Sequence, residues 1–476
     1  MNNVKRHFLD LFFHPESVAV VGASRTMRSP NFFLVSNLVN LGFPGEIYPV
    51  NPNAKEIMGL KTYPNLKSIE DDIDLAVISV PAKITLDIVK DCVAKKVKGI
   101  TIIAGGFSET GEGGKKVQDE IFSLLRDNGI RAIGPNALSP VNTANNFIIG
   151  FGPAEKMPQG GLSFIFQSGL YQPRLNWLLS DFNLNLNKLI DLGNKMDINE
   201  VDALEYFSQD ESTRVIAMHL ESIAGDARKF MRLLDSTIRN KPVIVLKSGR
   251  TAAGAKAASS HTGALMKSTD TIVDAALKQT GAIRAQGLDE FFDLAKVFEY
   301  LPPLKNNRLA ISSFSGGEGV ITTDFSQLYG LTLAEVGTET QRKLRTIFPP
   351  WEIPFNPFDI GVAGQFHTRD DALAVIVDAF AGDPDVDCLA LQMVDHAPPK
   401  ADSQALPKGV ERMMSMFSQA IKKGKALAVW MTSPTGGSGG ITKLLESNRI
   451  PVFPSAERAV RALAALYRYS ALRERE

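Results

Sequence analysis

The 476-residue sequence predicts an α/β protein of three consecutive parallel-sheet domains, and three observations carry that expectation. Short Val- and Ile-rich runs recur along the whole chain, each followed by small residues and then a longer amphipathic stretch, the spacing of strand, turn and helix. With 44% apolar residues, the chain holds more material than one hydrophobic core organises. Two stretches, Phe151 to Gly161 and Leu301 to Asn307, are dense in Pro, Gly or Asn and continue neither helix nor strand, so they divide the chain near 150 and 304.

In residues 1–150 the strand-like runs are Ser17 to Val21, Glu46 to Val50, Leu75 to Val80, Gly99 to Ile103 and Arg131 to Ile133, with helical apolar spacing between them, as in Ile84 to Lys95. Five such runs make one doubly wound sheet. Residues 151–304 contribute Leu162 to Phe166, Lys188 to Asp191, Val215 to Leu220 and Pro242 to Leu246. Residues 305–476 contribute Leu309 to Ser313, Leu331 to Glu335, Cys388 to Met393, Ala426 to Met431 and Pro451 to Phe453. No short repeat and no run of close hairpins is present, which argues against a solenoid or an all-β module.

Composition excludes several function classes. Lys+Arg and Asp+Glu number 52 each, so no global field draws the chain to nucleic acid or an anionic membrane. The two cysteines, Cys92 and Cys388, lie in apolar runs and build neither a disulfide framework nor a thiolate zinc site, and no metal is expected. No stretch approaches the roughly 20 apolar residues needed to span a bilayer, and the N-terminus has no signal-peptide core, so a cytoplasmic location is expected.

Ligands of open parallel sheets bind beyond the carboxyl ends of the strands. Those ends read Gly22-Ala23-Ser24, Val50-Asn51-Pro52, Val80-Pro81-Ala82, Ala104-Gly105-Gly106-Phe107 and Gly134-Pro135-Asn136 in the first third. Small residues at so many ends let a nucleotide-like ligand approach the backbone. The first turn is not G-x-G-x-x-G, and Asn51-Pro52 stands where a ribose-binding carboxylate would close the second strand, which disfavours NAD. Further on, Ser168-Gly169 and Ser315-Gly316-Gly317-Glu318-Gly319 each follow a strand and lead into a helix, whose first N–H groups hold an anion such as phosphate. Tight turns alone would also use these glycines.

Ser248 to Leu265 has neither helical nor strand periodicity, reads as a small-residue loop, and ends on His261 between Ser260 and Thr262-Gly263. An imidazole accepts a phosphoryl group and passes it on. His219 is its rival among the six histidines. Glu221, two residues beyond His219 at the end of a strand, suits the role of a carboxylate that accepts a histidine Nδ1–H and leaves Nε2 free as nucleophile.

These residues together resemble the α subunit of the NDP-forming acyl-CoA synthetases, the superfamily that includes ADP-forming acetyl-CoA synthetase and succinyl-CoA synthetase. The resemblance runs through His14-Pro15-Glu16-Ser17-Val18-Ala19-Val20-Val21-Gly22-Ala23-Ser24, Ile47-Tyr48-Pro49-Val50-Asn51-Pro52, Gly105-Gly106-Phe107-Ser108-Glu109, Gly134-Pro135-Asn136, Gln167-Ser168-Gly169, Gly193-Asn194 with Asp197, Ser260-His261-Thr262-Gly263, Ser315-Gly316-Gly317 and Asn356-Pro357-Phe358-Asp359. It implies an N-terminal Rossmann-like CoA-binding domain (1–150), a flavodoxin-like ligase domain carrying a phosphohistidine loop (151–304) and a second flavodoxin-like ligase domain (305–476). It implies His261 as the phosphohistidine, Glu221 as its orienting acid, and Ser168, Gly169, Gly316 and Gly317 as phosphate binders. CoA would meet Gly22, Ala23, Ser24, Arg25, Asn51, Lys55, Val80, Pro81, Ala82, Gly105, Gly106, Phe107 and Asn136.

The chain departs from the family pattern where Gly134-Pro135-Asn136-Ala137-Leu138-Ser139 replaces Gly-Pro-Asn-Cys-x-Gly. It departs again where Leu170-Tyr171-Gln172-Pro173-Arg174 replaces small residues, a change that reshapes an acyl pocket. No ATP-grasp signature is present, so Mg-ATP or Mg-ADP would sit on a partner β subunit, with a small carboxylic acid and CoA as the remaining substrates. The expected function is the α-type part of an acid–CoA ligase. The alternatives are a CoA- or acyl-CoA-binding regulatory protein and a CoA-dependent lyase or acyltransferase on the same scaffold.

Overall fold

The computed structural model describes residues 6–167, 169, 182–262, 270–349, 351, 355–394, 408–432 and 440–474. The chain divides into two compact units, Met1–Phe291 and Phe292–Glu476.

In the first unit, β1 (Ser17–Val21), β2 (Glu46–Val50), the small antiparallel hairpin β3 (Glu56–Ile57) and β4 (Leu60–Lys61), β5 (Leu75–Ile78), β6 (Gly99–Ile102) and β7 (Arg131–Ile133) follow in chain order. β1, β2, β5, β6 and β7 make a wholly parallel sheet in the order β2-β1-β5-β6-β7. Every residue of β1, β5 and β6 is buried, because helices cover both faces of a parallel sheet and its strands read as unbroken apolar runs. Helix Ala82–Lys95 buries Thr85, Val89 and Cys92, and helix Glu112–Asp127 buries Gln118, Ile121 and Leu125, one stripe on each at helical spacing. Val89, Cys92, Ile121 and Leu125 pack with Val21, Ile78, Ile100 and Phe107 in one core.

The same unit carries a second sheet of β8 (Val141–Asn142), β9 (Phe147–Ile148), β10 (Leu162–Phe166), β11 (Leu186–Asp191), β12 (Val215–Leu220), β13 (Val243–Lys247) and β14 (Ile283–Ala285), ordered β14-β13-β12-β10-β11-β8-β9. β10 to β14 are parallel, while the β8–β9 hairpin joins β11 antiparallel and extends that edge. The second unit is built on β15 (Arg308–Ser313), β16 (Thr332–Leu333), β17 (Phe358–Asp359), β18 (Cys388–Val394), β19 (Ala426–Thr432) and β20 (Val452–Phe453), all parallel, in the order β16-β15-β18-β19-β20 with β17 on β15. Its core gathers Leu389, Leu391, Val429, Phe380 and Phe417. Among the described residues no helix is long and apolar enough to cross a membrane.

The segment Ser248 to Leu265 departs from the sequence reading. Ser248 to Leu265 was expected as a loop, yet Ala252–Thr262 is a helix. The small residues that erase amphipathic periodicity are largely alanines, the best helix formers, and Thr251 Oγ1 caps the first turn by accepting the Gly254 N–H at 3.0 Å. Ala252, Ala253 and Ala257 are exposed, so helix propensity supports its first turns.

Candidate active site

Because the five strands of the first sheet are parallel, the residues that follow them gather at one edge. Gly22, at φ +89°, closes the turn after β1, and a Cβ there would lie 2.3 Å from the Ser79 carbonyl, so a larger residue does not fit. Asn31 Nδ2 donates to the carbonyls of Gly22 (2.8 Å) and Ser79 (2.9 Å), and Asn51 Nδ2 donates to Ala23 O (2.8 Å), tying three strand ends together. Around that edge Arg25, Lys55, Pro81, Gly105 and Asn136 are exposed, Gly22, Ser24, Asn51, Val80, Ala82 and Gly106 are half-buried, and Ala23 and Phe107 belong to the core. Asn136 sits in the left-handed region at φ +60°. Gly106, at φ +106°, donates its N–H to Glu109 Oε1 at 2.6 Å, and Glu109 Oε2 accepts from Asn194 Nδ2 at 2.6 Å. Burial opposes ionisation of Glu109, but the donors at Gly106 and Asn194 outweigh it and hold the carboxyl below its usual range.

The second sheet presents a denser polar edge. Gln167, just past β10, accepts the N–H groups of Glu221 and Ser222 on its Oε1, both at 2.9 Å, and donates from Nε2 to Ser222 Oγ at 3.0 Å. Glu221 is thereby anchored through its main chain just past β12. Asp191, at the end of β11, is buried and accepts from the N–H groups of Leu138 (2.9 Å) and Gly193 (3.2 Å); burial pushes its carboxyl up to about 6. Lys195 and Glu200 form a buried pair at 2.6 Å. His219 lies within β12 beneath this edge, its Nε2 paired with Ser248 Oγ, and burial with the Lys247 charge pushes the imidazole down to about 4.

His261 occupies the last turn of helix Ala252–Thr262, which begins five residues beyond the end of β13. The backbone of this helix approaches the Ser108–Thr110 turn within 8 Å, Cα to Cα. Ser168 and Leu170 to Arg174 lie outside the described residues, and Gly169 is exposed. In the second unit, Gly316 and Gly317 are exposed at the first turn of helix Gly316–Tyr329, capped by Ser315 Oγ accepting the Glu318 N–H at 3.2 Å. Buried Trp430 holds Glu318 through its indole N–H at 3.2 Å, and Gln392 accepts the Phe314 N–H at 2.7 Å. Among the described residues no three His, Cys, Asp or Glu side chains are grouped to hold a metal ion.

Residues 16–142 match the family described as CoA binding domain, and residues 159–298 match the succinyl-CoA ligase like flavodoxin domain. The chain is 35% identical to the α subunit of ADP-forming acetate–CoA ligase I of Pyrococcus furiosus over 97% of this chain and 98% of that subunit. It belongs to the family of ADP-forming acyl-CoA synthetase α subunits. A relative in this family, the ADP-forming acetate–CoA ligase II of Archaeoglobus fulgidus, is 34% identical over 96% of this chain, which spans 66% of that longer protein. The fold superposes on a dinucleotide-forming acetyl-coenzyme A synthetase 1 of Ca. Korarchaeum cryptofilum, solved with phosphate and ADP, with a TM-score of 0.87 at 32% identity, covering 98% of this chain and 97% of that one. Family membership accounts for an N-terminal CoA-binding domain followed by a flavodoxin-like one.

Sequence reasoning assigned no role to Gln167, Lys195 or Lys247, although each fixes the edge near Glu221. Gln167 stood in the Gln167-Ser168-Gly169 motif, and the signal for Lys247 was its place closing the apolar run Val243–Lys247, a position that buries an ammonium.

Proposed function

We propose that the chain is the α-type part of an NDP-forming acid–CoA ligase, interconverting carboxylic acid, CoA and ATP with acyl-CoA, ADP and phosphate. One observation carries this reading: the segment bearing His261 leaves β13 beside Glu221, and its helix runs along the Ser108–Thr110 turn just past Gly105-Gly106, so one element borders both strand-end clusters of the first unit. In this reading Glu221 accepts the Nδ1–H of His261, and Nε2 takes the phosphoryl group from ATP held by an ATP-grasp partner chain. A carboxylate oxygen of the acid then attacks phosphorus, the N–P bond breaks back to the imidazole, and an acyl phosphate forms. The CoA sulfur attacks the acyl carbon, the C–O bond to phosphate breaks, and phosphate leaves.

Ser168, Gly169, Gly316 and Gly317 are assigned to phosphate binding in this reading; Gly316 and Gly317 lie in the first turn of helix Gly316–Tyr329, whose N–H groups suit an anion. Coenzyme A takes the edge lined by Gly22 to Arg25, Asn51, Lys55, Val80 to Ala82, Gly105 to Phe107 and Asn136. The exposed Arg25 and Lys55 supply cations for its phosphates. The test is to mix the chain with a candidate ATP-grasp chain, CoA, Mg-ATP and a panel of small acids, measuring ADP, phosphate and thioester. Equal amounts of all three, only with both chains present, are expected. Thioester formed without nucleotide consumption would replace the ligase by a lyase or acyltransferase, and CoA binding without turnover would replace it by a regulatory protein.

A further inference from the structure

Lys247 closes β13 with its side chain inside the protein, only 5% of the residue exposed. Its Nζ donates to the main-chain carbonyl of Glu221 at 2.7 Å and to that of Ser248. Among the described residues it forms no ion pair within 4.0 Å, so a buried ammonium is spent on two carbonyls instead of a carboxylate. The choice of carbonyls is informative. One belongs to Glu221, whose N–H is already taken by Gln167, so both sides of that residue's main chain are fixed. The other belongs to Ser248, where the chain leaves the sheet toward the helix bearing His261, and Ser248 Oγ in turn meets His219 Nε2.

We propose that Lys247 is a positioning residue for the phosphohistidine chemistry, its ammonium tying the main chain of Glu221 to the root of the His261 segment. The proposal rests on the reading of His261 as phosphoryl carrier and Glu221 as its orienting acid. A charged donor makes a shorter and stronger bond to a carbonyl than a neutral amine does, so the tie depends on protonation. The groups acting on the ammonium are Asp270 of helix Asp270–Thr280, Glu221 beyond β12, Lys195 after β11 and Arg284 of β14, with His219 on β12. Burial, only partly offset by Asp270 and Glu221, pushes Lys247 down to about 8. The tie therefore weakens as pH rises through that value.

The experiment is single-turnover labelling of the full chain by γ-labelled ATP in the presence of its ATP-grasp partner, across pH 6 to 10, for wild type, Lys247→Met, Lys247→Arg and His261→Ala, with thermal melting as the control for folding. Wild type is expected to label on His261 with an alkaline limb near pH 8, Lys247→Met to label about 10- to 100-fold more slowly at unchanged apparent affinity for ATP, and Lys247→Arg to regain rate and lose the alkaline limb. If Lys247→Met does not fold, the Lys247→Arg profile decides alone: an alkaline limb identical to wild type overturns the proposal. Wild-type rates and profile in Lys247→Met overturn it while leaving the phosphohistidine intact. No label in wild type, or label that survives His261→Ala, overturns the proposal together with the reading beneath it.

Discussion

His219 and Asp191 lie near the same polar edge and titrate in opposite senses. Burial, then the charge of Lys247, pushes His219 down to about 4, so between pH 4 and 6.5 the folded chain binds fewer protons there than the unfolded one, and stability is lost as pH falls through that window. Burial pushes Asp191 up to about 6, so between pH 3.8 and 6 the folded chain binds more protons there, and stability is gained as pH falls. Relative to wild type, His219→Asn is expected to gain melting temperature progressively from pH 6.5 to 4, and Asp191→Asn to lose it from pH 6 to 4. Difference curves that stay flat with pH would contradict both assignments. Gly193 shows the same crowding in the main chain. At φ +53°, a Cβ there would stand 2.2 Å from the Pro135 carbonyl, which explains why a glycine precedes Asn194.

At the scale of elements, the turn after β12 is held by the buried Lys195–Glu200 pair. Lys195 Nζ donates to Ser222 O at 2.7 Å and to Glu200 Oε2 at 2.6 Å, while Glu200 Oε1 accepts the N–H groups of Ala224 (2.7 Å) and Gly225 (2.9 Å). Removing one partner leaves the other charge buried and uncompensated, so Lys195→Met and Glu200→Gln are each expected to cost about 3–5 kcal/mol in chemical unfolding of the full chain, and the double variant less than their sum. Additive losses would show that the two groups act independently. Apart from β14 and β17, the parallel strands and the strand-end clusters at Gly22, Asn51, Gly105 and Gly134 were legible in the sequence, because buried parallel strands read as apolar runs and small residues mark their ends. The hairpins Glu56–Lys61 and Val141–Ile148 were not, since strands of two residues carry no periodicity. The helix Ala252–Thr262 was missed because alanine serves both a loop of small residues and a helix. Lys195 and Lys247 were missed because their partners are carbonyls and one carboxylate brought close by folding, which no local pattern encodes.

At the scale of the whole molecule, balanced charge leaves recognition of an anionic cofactor to local groups, and Arg25 and Lys55 are exposed at the edge where the first sheet ends. The chain matches a separate α subunit almost end to end and spans 66% of a longer relative, and the proposed function divides the reaction between this chain and a nucleotide-holding partner. That division stands or falls on a phosphoryl group crossing to this chain. The most direct measurement is incubation with γ-labelled ATP and magnesium, with and without a candidate ATP-grasp chain, followed by tests for acid-labile, base-stable label in wild type and His261→Ala. Label that requires the partner and vanishes in the variant is the predicted result. A partner that phosphorylates a known α subunit but leaves this chain unlabelled would contradict it.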